Sequence, residues 1–198
     1  MEVIRISQVY SIKNKIRQHM LQRRNGLPKT EILRRSEIIQ NHIINCSEYK
    51  SARIIGVYFP TGSEVRTEHI ITTALMDQKL LLLPKTGIDQ IAFHPVCEAD
   101  LRENRLIKGR FGIMEPAESS HSIEENIDLL IVPGVAFDKY GYRIGYGKGY
   151  YDRFIKKNNC RYCIGLGFQF QLLYSSIPSS HFDQKLDAIA MESSMLVC

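Results

Sequence analysis

The ten residues Arg143-Ile144-Gly145-Tyr146-Gly147-Lys148-Gly149-Tyr150-Tyr151-Asp152 hold three alternating glycines, two cations, three tyrosines and a carboxylate. That mixture suits an anion, and a phosphate in particular. Alternating glycines let the backbone take positive φ and approach a ligand closely, so that successive N–H groups form a nest for anionic oxygens. Lys148 adds a compact charge and Arg143 a flat fork of donors. Asp152 offers the kind of carboxylate that Mg²⁺ takes alongside nucleotide phosphates and water. The run is not a P-loop: five residues rather than four separate Gly141 from Gly147-Lys148, and Gly149 stands where that motif has Ser or Thr. Taken alone, Gly147-Lys148-Gly149 reads equally as a glycine-rich hairpin with a solvated lysine.

The surrounding elements favour the phosphate. Ile127 to Val132 is a short apolar run that ends at Pro133-Gly134, the pattern of a buried strand. Tyr150, Tyr151, Phe154 and Ile155 form one stripe of a helix over 150–157. Strand, glycine loop and helix together present backbone N–H groups to phosphate. Upstream, Val9, Ile12, Ile16, Met20 and Leu21 predict an amphipathic helix with a basic outer face, broken at Gly26 and Pro28. A second helix is predicted over 30–46, a strand over 52–59 stopped by Pro60-Thr61-Gly62-Ser63, a helix over 65–75, and strands over 79–83 and 91–96. Residues 97–126 are polar and read as an ordered loop, followed later by strands over 162–168 and 188–191. This alternation predicts a single α/β domain over 1–198, a three-layer α/β/α sandwich with a mostly parallel central sheet. Ligands of such sheets sit at the carboxyl ends of strands, where both 59–64 and the segment from Pro133 fall, so the two loops are expected to face one crevice.

The 198 residues, 44% hydrophobic and 24% charged, fit one ordinary globular domain. A net charge of +5 suits small anions, and with no dense Lys/Arg block or nucleic-acid motif neither DNA nor RNA is an expected partner. No apolar run reaches membrane-spanning length, and a monomer acting on small molecules is expected. Cys160 and Cys163 form a C-x-x-C without the second pair a zinc ribbon needs and beside a strand rather than opening a helix, so they read as reduced, packed thiols of a cytoplasmic protein. The first 24 residues carry Arg5, Lys13, Lys15, Arg17, Arg23 and Arg24 against Glu2, which also suits a mitochondrial presequence. That reading is disfavoured, because the same helix has a part in the site described next.

The stretch from Pro133 through Asp152 closely resembles the signature of the 5-formyltetrahydrofolate cyclo-ligase family. Lys13-x-x-x-Arg17, Tyr58-x-Pro60 followed by Glu64, Gly109-Arg110-Phe111-Gly112-Ile113-x-Glu115-Pro116, and a late His181 with Asp187 agree in the same order, so the likeness covers nearly the whole chain. It implies ATP- and Mg²⁺-dependent closure of 5-formyltetrahydrofolate to 5,10-methenyltetrahydrofolate, with release of ADP and phosphate. It implies that Lys13, Arg17 and the loop Arg143, Ile144, Gly145, Tyr146, Gly147, Lys148, Gly149, Tyr150 and Tyr151 hold the nucleotide. It places Phe59 and Glu64 on the folate together with Tyr146, Gly147, Lys148, Gly149 and Tyr150, and puts Asp152 and Asp187 on the metal. Lys148, Arg143 and Tyr150 are the implied catalytic set. Position 146 departs from the pattern, being Tyr where Gly or Arg is expected.

An N-formyl group is an amide, a poor electrophile with a poor leaving group. Phosphorylation of its oxygen by ATP, attack by N10 and loss of phosphate require positioning and charge neutralisation but no protein nucleophile. A kinase or sugar-phosphate enzyme would use the same phosphate loop, with Asp138 as the one nearby base. A binding module without turnover is a third reading, against which stand the intact Arg143, Lys148 and Asp152.

Overall fold

The structure, a computed structural model, describes residues 2–103, 105–117, 122 and 126–198. The chain opens with three helices, α1 (Glu2–Asn25), α2 (Lys29–Asn45) and α3 (Ser47–Ser51). Then come β1 (Ile54–Val57), α4 (Glu68–Met76), β2 (Leu80–Thr86), β3 (Ile91–Val96), α5 (Glu98–Arg102), β4 (Ile107–Lys108) and β5 (Met114–Glu115). The second half holds β6 (Leu129–Pro133), β7 (Ala136–Asp138), β8 (Arg143–Ile144), α6 (Tyr150–Lys157), β9 (Cys163–Leu166), β10 (Leu172–Leu173), β11 (Ala188–Ala190) and β12 (Met195–Val197).

Seven strands form the central sheet in the order β12-β11-β9-β6-β1-β2-β3, with β11, β9, β6, β1 and β2 parallel and the edge strands β12 and β3 antiparallel. The inner strands are apolar on both faces because both faces are covered: Ile55, Val57 and Leu129 through Val132 are fully buried. On one face α2 and α4 set Ile39, Ile43, Ile70 and Ile71 against Ile55, Leu81, Leu83 and Ile131. On the other, α6 places Phe154 on Phe93, ring centroids 4.7 Å apart. The chain leaves β1 toward β2 and β3, then returns across it to β6, β9 and β11. The topological switch therefore lies between β1 and β6, and the carboxyl ends of these strands are where sheets of this kind take ligands.

The expected three layers are present, but the second face is only partly helical. Beside α6 it carries a small sheet, β10-β7-β8, over which α1 lies, with Met20 packed on Val135, Ala136 and Ile144. Residues 133–149, expected as one loop, thus contain the β7–β8 hairpin, and the polar stretch 97–126 contains α5 and the β4–β5 ladder among its described residues. In that ladder Glu115 is buried and accepts from Thr86 N, which ties β5 to β2. Three glycines admit the hairpin: a Cβ at Gly134, Gly165 or Gly167 would meet the Phe137 ring at 2.2, 2.6 and 2.6 Å. Fully buried Asp138 shapes its turn, accepting from Tyr140 N and Tyr142 N at 3.0 Å each and from Ile177 N at 2.7 Å.

Gly165→Ala forces Phe137 off the sheet and is expected to lower unfolding free energy by about 1–3 kcal/mol in urea melts. Asp138→Asn presents an amide NH₂ to one of its three backbone donors, and a loss of about 1–3 kcal/mol is expected in the same measurement.

Candidate active site

Lys13, Arg17, Met20 and Arg24 recur at i, i+4, i+7 and i+11, one face of α1. Met20 anchors that face and the three cations flank it. Arg17 Nε donates to the Gly145 carbonyl at 2.7 Å, and its guanidinium lies 3.5 Å from where a Cβ on Gly147 would sit. Lys13 Nζ pairs with Asp183 at 2.7 Å. Arg24, 2% exposed, donates to Ser63 Oγ (3.1 Å), the Gly134 carbonyl (3.1 Å) and the Tyr146 hydroxyl (2.5 Å). One guanidinium thereby joins the loop after β1, the end of β6 and the glycine loop, so the two strand-end loops do face one crevice.

Within the glycine loop, Gly147 has φ +96° and Gly149 φ +64°, conformations that favour glycine. The N–H groups of 146–149 donate to no protein acceptor among the described residues, and Lys148 is exposed with no ion pair or hydrogen bond there. The loop ends firmly. Tyr150 Oη donates to the Ile88 carbonyl at 3.2 Å, and Tyr151 packs edge-on to Phe93 at 6.4 Å. Burial pushes the Tyr151 phenol well above its usual range.

Glu64 is 5% exposed and accepts from Thr61 N at 2.9 Å. Burial raises its pKa, opposed by the Thr61 N–H, the Arg24 charge and the Tyr146 hydroxyl. The Tyr146 phenol is itself pushed up to about 12, by burial first and then by the Glu64 charge. The Tyr146 ring remains half-exposed, so its hydroxyl turns inward while its face borders the crevice. Tyr58, buried behind Glu64, donates to the Val65 carbonyl at 2.7 Å. Phe59 is half-buried and lines a cleft of about 240 Å³ with Ile71, Leu101, Leu106 and Met114. A larger cleft of about 440 Å³, between the β2–β3 turn and α6, contains none of the residues expected at the site.

Three of the expected residues are held by the protein itself. Arg143 is not a free fork on the loop: its side chain is buried, pairs with Asp152 Oδ1 at 3.1 Å and donates to the Gln184 carbonyl at 3.1 Å. Ile144 offers no side chain to a ligand, since it lies in the core beneath α1 and its carbonyl accepts from Val135 N at 2.7 Å. Asp187 is not drawn to Asp152. It precedes β11 at the amino end of the sheet, where its Oδ2 accepts from Cys163 N at 2.7 Å. Among the described residues no three His, Cys, Asp or Glu side chains cluster as a metal site. Asp152 has Oδ1 taken by Arg143 and by Gln184 N (3.1 Å), while among the described residues no group is bonded to Oδ2.

Asp138, the candidate base of a kinase reading, is fully enclosed by the backbone donors of its turn. His181 is exposed and lies on Phe182, ring centroids 3.8 Å apart. All five cysteines are free, and the buried Cys163 thiol is raised by its hydrogen bond to Cys160 and by burial. Sequence reasoning missed Arg24 and Ser63 as site residues. The signal for Arg24 was present, since it continues the Lys13, Arg17, Met20 stripe by four residues.

The model of the 5-formyltetrahydrofolate cyclo-ligase family matches residues 9–192. A Caenorhabditis elegans protein named as a probable 5-formyltetrahydrofolate cyclo-ligase is 30% identical, over 97% of this chain and 98% of its own. The mouse 5-formyltetrahydrofolate cyclo-ligase is also 30% identical, over 94% and 96%. The solved structure of Aquifex aeolicus 5,10-methenyltetrahydrofolate synthetase superposes with a TM-score of 0.81 at 32% identity, covering 94% of this chain and 92% of that one. The synthetase from Mycoplasma pneumoniae gives 0.72 at 25%, covering 91% and 98%. With the glycine loop, the α1 cations and Glu64 gathered at the switch point, these likenesses agree on one conclusion: the chain belongs to the 5-formyltetrahydrofolate cyclo-ligase family.

Proposed function

We propose that the protein closes 5-formyltetrahydrofolate to 5,10-methenyltetrahydrofolate at the expense of ATP, releasing ADP and phosphate, with the nucleotide on the α1 side of the glycine loop and the pterin at Glu64. The observation that carries this reading is the set of N–H groups at 146–149 that donate to no acceptor among the described residues, beside exposed Lys148 and Arg17 and joined through Tyr146 and Arg24 to the loop that holds buried Glu64. An anion-holding nest and a carboxylate acceptor side by side suit a reaction that joins a triphosphate to a folate.

The chain's residues divide the work. Lys148 and the loop N–H groups neutralise charge on the transferring phosphoryl group and hold it in line with the formyl oxygen. Arg17 keeps the loop at its distance from α1 through the Gly145 carbonyl, and Lys13 adds a second cation for the nucleotide. Glu64 accepts from pterin N–H groups, Phe59 offers an apolar wall, and Tyr146 and Tyr150 border the space between the two ligands. Transfer to the formyl oxygen gives a leaving group, and N10 of the same substrate supplies the nucleophile. Asp152 suits Mg²⁺, which typically takes one or two carboxylates and leaves its other positions to phosphates and water. Bound there, the ion would supply charge neutralisation, and Arg143 would serve by fixing Asp152. Enclosed Asp138 argues against a kinase, which would need a base free to reach an acceptor hydroxyl. All of these groups come from one chain, which suits a monomer.

Purified protein given ATP, Mg²⁺ and 5-formyltetrahydrofolate is expected to develop the methenyltetrahydrofolate absorbance band; silence under conditions where calorimetry shows both ligands bound would sink the reading. Lys148→Ala is expected to lower kcat by at least about tenfold with the folate KM within about threefold. A change confined to the folate KM would remove Lys148 from the phosphoryl role.

A further inference from the structure

Arg24 stands outside the residues that the family signature picks out, yet it is the most enclosed cation at the crevice. Its Nε, Nη1 and Nη2 reach Ser63, Gly134 and Tyr146, three separate pieces of the site. A guanidinium stays charged inside a protein, so its burial calls for an opposite charge nearby. Glu64 provides it. The groups that face Glu64 among the described residues are Arg24, Arg66 and the phenols of Tyr146, Tyr58 and Tyr151. Burial keeps all three phenols neutral. Arg66 is already ion-paired with Glu68, which leaves Arg24 as the cation without another acid.

We propose that Arg24 is a positioning residue for the folate end of the site: its charge maintains Glu64 as a carboxylate acceptor, and its fork fixes the Tyr146 ring as the wall between folate and nucleotide. The inference rests on Glu64 being the pterin acceptor. It also accounts for the tyrosine at position 146, because a shorter side chain in the loop would not reach Arg24 from the solvent side of the crevice. Arg17 and Arg24 lie seven residues apart, two turns of α1, and bind the loop at adjacent residues, Gly145 and Tyr146. One helix thus sets both ends of the crevice.

The test is calorimetric binding of 5-formyltetrahydrofolate without ATP, from about pH 6.5 to about pH 9, with thermal melts of each variant as a fold check. Arg24→Gln keeps donors but removes the charge. Its folate affinity is expected to fall by at least about tenfold at the acid end and to recover most of that toward the alkaline end, while the unmodified protein stays nearly flat. The sign follows from the acceptor role: without the cation Glu64 releases its proton at higher pH, and only the deprotonated carboxylate accepts from two pterin N–H groups. Arg24→Lys keeps the charge but gives up the fork, and is expected to bind about threefold to tenfold more weakly, by the same factor at every pH. Tyr146→Phe removes only the hydroxyl bond and is expected to weaken binding by about threefold to tenfold at every pH. An Arg24→Gln loss that is equal at all pH values, or no loss, overturns the electrostatic role. Should that variant fail to fold, Arg24→Lys decides instead: affinity as low as that of Glu64→Gln overturns the electrostatic role, and a loss of no more than about tenfold that is the same at every pH supports it. Tyr146→Phe binding like the unmodified protein overturns the wall. Glu64→Gln binding with undiminished affinity would instead overturn the assignment of Glu64 to the pterin.

Discussion

The Phe137 ring seated on Gly134, Gly165 and Gly167 is the contact on which the site depends. It brings β7 down across the ends of β6 and β9, closer than any side chain at those positions would permit. From that seat the hairpin turns at Asp138 and returns along β8, so that the glycine loop emerges beside the carboxyl end of β1 rather than over the middle of the sheet. Without this close approach the glycine-loop backbone and the Glu64 carboxylate would stand at different heights above the sheet.

A second constraint is electrostatic. A basic face of α1 left in solvent would repel itself, with cations four residues apart. The fold instead gives each one an oxygen: Asp183 for Lys13, the Gly145 carbonyl for Arg17, and Ser63, Gly134 and Tyr146 for Arg24. Charge that reads as a solvated helix surface in the sequence is turned inward.

The strength and position of signals decided what the sequence disclosed. Long apolar runs such as Leu129 to Val132, and the stripe of Tyr150, Tyr151, Phe154 and Ile155, named their elements because burial on one or both faces leaves a periodic trace. The strands β7, β8 and β10 span two or three residues each, too short for any period, and their pairing depends on glycines far apart in sequence. The glycine loop and Lys148 read as a phosphate site from residue types and their setting, whereas Glu64 and the α1 cations gained a role only from the family resemblance. The burial of Arg143 was not, because an arginine beside glycines reads as a ligand fork until the fold shows Asp152 and Gln184 already bonded to it. The place of Asp187 was equally hidden: the chain bonds Asp152 at Gln184 and then runs on to the amino ends of β9 and β11.

The ion pair between Lys13 and Asp183 has a mechanical side. Asp183 also accepts from the amide and hydroxyl of Ser180, and the next residue, Gln184, bonds both Arg143 and Asp152. Asp183 therefore holds α1 at Lys13 and, through the residue that follows it, the start of α6 at Asp152. Breaking the ion pair would slacken the same strap that orients Asp152, so that a change on the first helix is felt at a carboxylate far along the chain.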